Sequence, residues 1–315
     1  MQESALPVFF EHIKQQLLDV PNEIRRVFHG RGRCYDGLDQ LTADWVNGQL
    51  LVHVFKEPSP EFIVQFKQDL VALSHSAEWQ HAQGKTIVLQ HRYGEGAPSE
   101  TLVGELDSTP IAIENDLKYQ LDIGRNQNFG LFLDMRLGRQ WVQEQARHAN
   151  VLNLFSYTCG FSVAAIEGGA DQVVNVDMAK SSLSKGKTNH KLNGHDLAKV
   201  KFLGHDIFKS WGKIKKSGPY DLIVIDPPSF QKGSFALTKD YAKILRRLPD
   251  LLTDQGKVMA CVNSPQVSPD FLIEGMKTEA PMLDYKGRLE NPEEFKDHDP
   301  DAALKVMLFE RNGEA

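Results

Sequence analysis

Between residues 151 and 263 the chain alternates short apolar runs, VLNLF, QVVNVD, VKFLGHD, YDLIVID and GKVMACVN, with stretches of helical pattern. Runs of this length and β-branched content read as strands, and helix-length spacers between them favour parallel strand pairs, because a parallel return needs a crossover. The pattern therefore predicts a doubly wound α/β sheet. Such sheets bind ligands beyond the carboxyl ends of their strands, near the point where strand order reverses. The residues that immediately follow each run are thus the first candidates for function. The last run, ALKVMLFERN, is expected to be a final antiparallel strand, and the polar stretch NPEEFKDHDPDA (291–302) a surface loop.

The region before this alternation reads differently, as a small α+β domain over 1–122, with the α/β domain over 123–315. Phe9, Ile13 and Leu17 recur at helical spacing within 7–19, and an arginine-rich turn, His29-Gly30-Arg31-Gly32-Arg33, follows. LTADWV and QLLVHVF flank Asn47-Gly48, the pair that best supplies the two positive-φ positions of a type I′ hairpin turn. Pro58-Ser59-Pro60 opens a helix with Phe62, Phe66, Leu70 and Leu73 on one face. KTIVLQHR and TLVGEL read as strands, and a second hairpin turns at Asn115-Asp116.

Composition narrows the class. A hydrophobic fraction of 41% with 25% charged residues supports a sizeable core, and the formal net charge of -6 neither demands nor excludes a nucleic-acid partner. Cys34, Cys159 and Cys261 lie far apart with no CxxC pair, which argues against a disulfide framework or cysteine-based zinc site and for a reducing, cytoplasmic setting. No metal is expected. No run reaches the length of a membrane-spanning helix, and the N-terminus lacks the pattern of a signal peptide.

The first strand of the sheet leads into Phe155-Ser156-Tyr157-Thr158-Cys159-Gly160, where a glycine next to the following helix lets backbone approach a ligand. The turn is not GxGxxG and no phosphate-binding lysine follows, which weakens dinucleotide and nucleoside-triphosphate readings. Asp177 ends the second strand, where a carboxylate can accept from both hydroxyls of a ribose. Asp206, ending the third, can take an adenine amino group while Ile207 packs on the ring. Each aspartate can equally cap the next helix. The fourth strand ends in Asp226-Pro227-Pro228-Ser229-Phe230, a rigid turn whose prolines leave carbonyls without local donors. Such a turn suits a planar base held by hydrogen bonds and ring stacking, although Phe230 can also be a core contact.

FGLFLDMR (129–136), NLFSYTCGFS (153–162), NVD (175–177), GHDIF (204–208) and DPPSF (226–230) together resemble class I S-adenosylmethionine-dependent methyltransferases. More narrowly, they are similar to the family that contains the 23S ribosomal RNA cytosine-C5 and guanine-N7 methyltransferases. That resemblance implies a seven-stranded Rossmann-like sheet and adenosylmethionine as cofactor. It implies ribosomal RNA as the partner, a cytoplasmic place of action, no membrane association, and room for a homodimer. It makes Phe132, Asp134 and Arg136 candidate cofactor contacts, beside Phe155, Ser156, Tyr157, Thr158, Gly160, Asp177, Met178, Asp206, Ile207 and Asp226. Without the family, Asp134 reads as a helix cap and Arg136 as a solvated residue. The RNA-binding PUA domain that some members carry in front is not recognisable.

In the cytosine-C5 members a cysteine on the fifth strand attacks the base; the corresponding position here is Asn263. Cys261 has the same side-chain parity but lies about 7 Å back along the strand, which makes it a buried core thiol. Without that nucleophile, direct transfer to a base nitrogen is the better expectation, with Asp226, Pro227, Phe230 and Asn263 as catalytic candidates and Pro228 and Ser229 beside the target. Asn263 can instead cap a loop. Arg31 and Arg33 are candidates for RNA phosphates, or else for an internal salt-bridge knot. Lys185, Lys187, His190 and Lys191 form a second basic group, and Lys213, Lys215 and Lys216 a third; both read more simply as solvated faces. The rival readings are a methyltransferase acting on a small molecule or a protein amide, and a cofactor-binding protein without RNA activity.

Overall fold

The computed structural model describes residues 1–19, 22–124, 127–228, 230–231 and 235–312, with the backbone only for Phe230, Gln231 and Phe235. The chain divides into two compact units, Met1–Leu133 with Pro292–Pro300, and Asp134–Asn291 with Asp301–Ala315.

In the first unit, β1 (Arg25–His29), β2 (Leu41–Val46), β3 (Gln49–Val54), β4 (Thr86–His91) and β5 (Ser99–Val103) form one sheet in sequence order. β3 and β4 are parallel, joined by α2 (Pro60–Leu73), and the other neighbours are antiparallel. Helix α1 (Leu6–Leu17) buries Leu6, Phe9, Ile13 and Leu17, while α2 buries Phe62, Phe66, Leu70 and Leu73. Ser59 caps α2 by accepting from the Phe62 N–H at 3.2 Å, and Pro60 starts it where no donor is needed. A short α3 (Ala77–His81) adds Trp79 to the same core. Asn47 and Gly48 have φ of 52° and 85°, the geometry that the hairpin pattern predicts. The same turn type, with Asn115 and Asp116 at 49° and 62°, joins β6 (Ile111–Glu114) to β7 (Leu117–Gln120).

The second unit is built on a seven-stranded sheet. Its strands are β8 (Asn150–Leu154), β9 (Gln172–Asp177), β10 (Val200–Gly204), β11 (Tyr220–Ile225), β14 (Leu252–Val262), β15 (Leu283–Leu289) and β16 (Lys305–Arg311). Two short strands, β12 (Phe230–Gln231) and β13 (Phe235–Ala236), pair separately. The spatial order is β10-β9-β8-β11-β14-β16-β15, with β16 antiparallel to both of its neighbours. The order reverses between β8 and β11, and in sheets of this kind ligands bind beyond the carboxyl ends of the strands at such a switch point.

Strand residues alternate between two cores. Leu152, Leu154, Val176, Ile223, Ile225 and Ala260 pack with α7 (Trp211–Ser217), α8 (Leu237–Leu245) and α9 (Asp270–Glu279). Val151, Val173, Leu222, Val224, Met259 and Cys261 face α4 (Arg136–Gln145) and α5 (Gly160–Glu167). A helix α6 (Lys180–Leu192) follows β9. β15 has no counterpart in the apolar pattern: its middle is LDYKGRL, exposed at an edge of the sheet. The stretch 291–302 is a loop with one 3-10 turn, Glu293–Phe295, and is anchored by Phe295, buried against His29 in the first unit.

Candidate active site

Parallel register brings the strand ends to one edge. Leu154 lies level with Val176 and with Ile225, Asp177 with Gly204, and Ile225 with Ala260. Phe155, Asp177, Asp206, Asp226 and Asn263 therefore leave the sheet along the same border, on both sides of the switch point.

The turn after β8 is folded by residues other than its glycine. Phe155, Tyr157 and Cys159 have φ of 57°, 46° and 63°, so the left-handed positions fall on three bulky residues while Gly160 begins α5. A left-handed non-glycine residue costs about 1–2 kcal/mol, and such strain persists only where neighbours overdetermine it. Here Ser156 N–H donates to Val176 O at 3.2 Å and Cys159 N–H to Ser156 O at 2.7 Å. Asn189 of α6 donates to Thr158 O at 3.1 Å. Gly186 lets α6 close on the turn: a Cβ there would sit 2.4 Å from Cys159 Sγ. Below it a buried chain links Asn153, Asn175, Ser162 and His190, with steps of 2.9 Å. Burial pushes His190 down to about 3, so it is neutral and belongs to the core, not to a basic surface.

Asp177 is the hinge between this turn and β9. Its Oδ2 accepts from Tyr157 N–H at 2.8 Å and its Oδ1 from Ala179 N–H at 2.7 Å. A carboxylate offers about four acceptor positions, so lone pairs remain for ribose hydroxyls. Asp206 realises its capping role, with Oδ1 accepting from Phe208 N–H at 2.9 Å, and Oδ2 stands 3.5 Å from Lys209 Nζ. Ile207 is buried beside it, whereas Met178 is exposed at the strand end. Two acceptor carboxylates, an exposed thioether and a turn presenting backbone suit a nucleoside with a short charged tail, and adenosylmethionine fits that donor set.

On the other side of the switch point, Asp226 is half-buried and Pro227 buried. Desolvation and the neighbouring charge of Asp134 push the Asp226 carboxyl up to about 7, against the opposing pull of Arg139. Arg139, buried on α4, is a residue that the sequence pattern did not single out. Asn263 Nδ2 donates to Asp134 Oδ2 at 3.4 Å, so the candidate from the fifth run and the candidate preceding α4 meet. Cys261 is fully buried, and burial together with Asp226 and Asp134 holds its thiol well above the usual range. Tyr241 of α8 was also missed: its hydroxyl donates to Cys261 O at 3.1 Å and stands 3.4 Å from Ile225 O, tying β14 to β11 just below Asn263 and Asp226.

Of the remaining candidates, Arg136 begins α4, while Phe132 is exposed and belongs to the first unit. Pro228 is exposed, Ser229 lies outside the described residues, and the side chain of Phe230 is likewise not described. In the first unit Arg33 pairs with Asp297 at 3.0 Å, and His298 N–H donates to Gly32 O at 2.7 Å. Arg31 donates to Gln40 at 3.2 Å. Lys215 pairs with Asp250 at 3.5 Å. Among the described residues no group of three or more His, Cys, Asp or Glu side chains could hold a metal, and no helix is long and apolar enough to cross a membrane.

Residues 25–310 match the model of the S-adenosylmethionine-dependent methyltransferase family. YwbD of Bacillus subtilis (strain 168), named as a candidate ribosomal RNA large subunit methyltransferase, is 32% identical over 249 residues, 76% of this chain and 60% of its own length. The ribosomal RNA large subunit methyltransferase I of Aeromonas salmonicida (strain A449) is 31% identical over 207 residues, 64% of this chain and 51% of its own. The chain thus spans between half and two-thirds of these relatives. Among solved structures, SMU.776 in complex with SAH superposes with a TM-score of 0.82 at 25% identity, over 96% of this chain and 81% of that one.

Proposed function

Because the chain belongs to the S-adenosylmethionine-dependent methyltransferase family, we propose that it methylates a base nitrogen of ribosomal RNA by direct transfer. The relatives named for ribosomal RNA support the substrate class. The observation that carries the direct route is the pairing of a poised Asp226 with an inert Cys261. Attack on a cytosine ring needs a thiolate, and the thiol at this edge is buried inside β14 and disfavoured as an anion.

When bound, the cofactor supplies an electrophilic methyl group on a sulfonium centre. Asp177 and Asp206 would hold its nucleoside, with Met178, Ile207, Asp134, Arg136 and residues 155–160 around it. Asp226 would accept a hydrogen bond from the target base. With its carboxyl near neutrality, it can also take the proton that a ring or exocyclic N–H loses on methylation. Pro227 keeps the turn rigid, Phe230 would stack on the base, and Pro228 and Ser229 would border it. Asn263 would hydrogen-bond the base edge, held in place by Asp134. The rate gain then comes mainly from alignment and exclusion of water. In this reading residues 1–122 select the RNA, and the reaction takes place in the cytoplasm.

The test is incubation with labelled adenosylmethionine and total RNA from a strain lacking the protein, followed by nucleoside mass spectrometry. The expected product is an N-methylated nucleoside in ribosomal RNA. Label in 5-methylcytidine would overturn the direct route, and label confined to protein or small metabolites would overturn the RNA substrate.

A further inference from the structure

At one end of the first unit's sheet, four segments converge. Val54 of β3 pairs with His91 of β4, so the next residues, Phe55 and Arg92, emerge side by side. Phe55 N–H donates to Gln40 O at 2.9 Å, just ahead of β2, and Arg92 N–H donates to Val54 O at 2.8 Å. The turn after β1 carries Arg31 to the same place. It can do so because Gly30 lies against backbone: a Cβ there would be 2.0 Å from Leu38 O and 2.6 Å from Leu41 O.

The guanidinium carbons of Arg31 and Arg92 lie 4.7 and 5.1 Å from the centroid of the Phe55 ring. Two like charges on one ring repel, and the nearby carboxylate offsets this only in part. Asp44 is fully buried and held by Arg26 through both of its oxygens. Among the described residues neither Arg31 nor Arg92 forms an ion pair; Arg31 donates to Gln40 and Arg92 to Asn128, both neutral. Arg92 Nε is buried with no hydrogen-bond partner. Burial and the charge of Arg26 depress the Arg92 guanidinium below its ordinary value, Asp44 opposes them and Arg31 adds to the depression. His29 and His53, which flank Asp44, are held near 4 by burial and add no charge at neutral pH.

We propose that Arg31, Arg92 and the ring of Phe55 form a seat for a phosphodiester group of the RNA substrate. Planar guanidiniums bind phosphate with paired N–H donors, and the phenyl face keeps both in place while each has N–H groups beyond its one hydrogen bond to a neutral amide. This seat rests on the RNA reading and adds to it a location: Arg31 serves, whereas its neighbour Arg33 is engaged by Asp297.

The full chain is titrated with a fluorescein-labelled single-stranded RNA over a range of salt concentrations, using anisotropy. Each phosphate contact contributes about 0.7 to the slope of log affinity against log salt for single strands. The Arg31→Gln/Arg92→Gln double variant is expected to lose the one phosphate contact, about 0.7 of that slope, and to bind at least tenfold more weakly. Arg92→Lys should keep the slope. Arg31→Gln alone, at an exposed position, should lose half as much and covers the case in which the double variant is misfolded. Wild-type binding with unchanged slope and affinity in Arg31→Gln and in the double variant would overturn the seat. Absence of RNA binding by the wild-type protein would instead overturn the RNA reading, and the seat with it.

Discussion

Asp226 is placed where its usual chemistry is reversed. Its carboxyl ordinarily titrates at 3.8 but is pushed to about 7 in the fold. Between these values the folded protein holds a proton that the unfolded chain has released. Its contribution to stability is therefore fully present below the ordinary value and is lost as pH rises from there through about 7. Asp226→Asn removes the charge while keeping the shape. It should stabilise the protein by about 1–3 kcal/mol at pH well above 7 and by much less in mild acid. Urea unfolding at the two pH values measures this; an equal difference at both would mean that Asp226 is an ordinary carboxylate. A residue that destabilises the resting protein at neutral pH is easier to understand as one retained for catalysis. Asn263 and Cys261 fit the same picture, the first at the edge beside Asp134, the second sealed into the core.

At the scale of elements, the strained turn 155–160 depends on α6. Alanine in a helix is ordinarily better than glycine by about 1 kcal/mol, but at Gly186 the added methyl would overlap Cys159 Sγ at 2.4 Å and its Cβ at 2.8 Å. Overpacking of this kind costs roughly 1–3 kcal/mol, so sterics should win. Gly186→Ala should unfold at lower denaturant and bind adenosylhomocysteine several-fold more weakly; a gain in stability would show that the turn is not clamped from below. The same elements show how much was legible. β8, β9, β11 and β14 were readable because burial on two faces leaves a run of apolar letters, and the edge strand β10 because it keeps Val200, Phe202 and Leu203. β15 was not, because an edge strand can be polar along its middle. β1 was hidden likewise by Arg25, Arg26 and His29. Carboxylates at strand ends were predictable from the rule for parallel sheets. The left-handed Phe155, Tyr157 and Cys159 were not, since nothing in those side chains favours that backbone. Arg139 and Tyr241 lie within helices, where sequence alone separates neither a buried charge nor a tying hydroxyl from surface decoration. His190 shows the converse, a basic letter that turned out to be core.

At the scale of the molecule, each unit has its own core, and the strand ends that carry Asp177 and Asp226 belong to the second. A ligand that binds only the folded form stabilises it by mass action. Adenosylhomocysteine at one hundred times its Kd should add about 2.7 kcal/mol to the unfolding free energy of that unit, read by calorimetry with and without ligand; no shift would deny the site. The central claim is that the border carrying Asp177 holds the nucleoside and the border carrying Asp226 faces the target. Isothermal titration of adenosylhomocysteine into Asp177→Ala and Asp226→Asn, beside the wild type, tests it most directly. Loss of hydrogen bonds to a charged group costs about 1.5–3 kcal/mol, so Asp177→Ala should bind roughly ten- to a hundredfold more weakly and Asp226→Asn much as the wild type does. Wild-type affinity in Asp177→Ala would contradict the account.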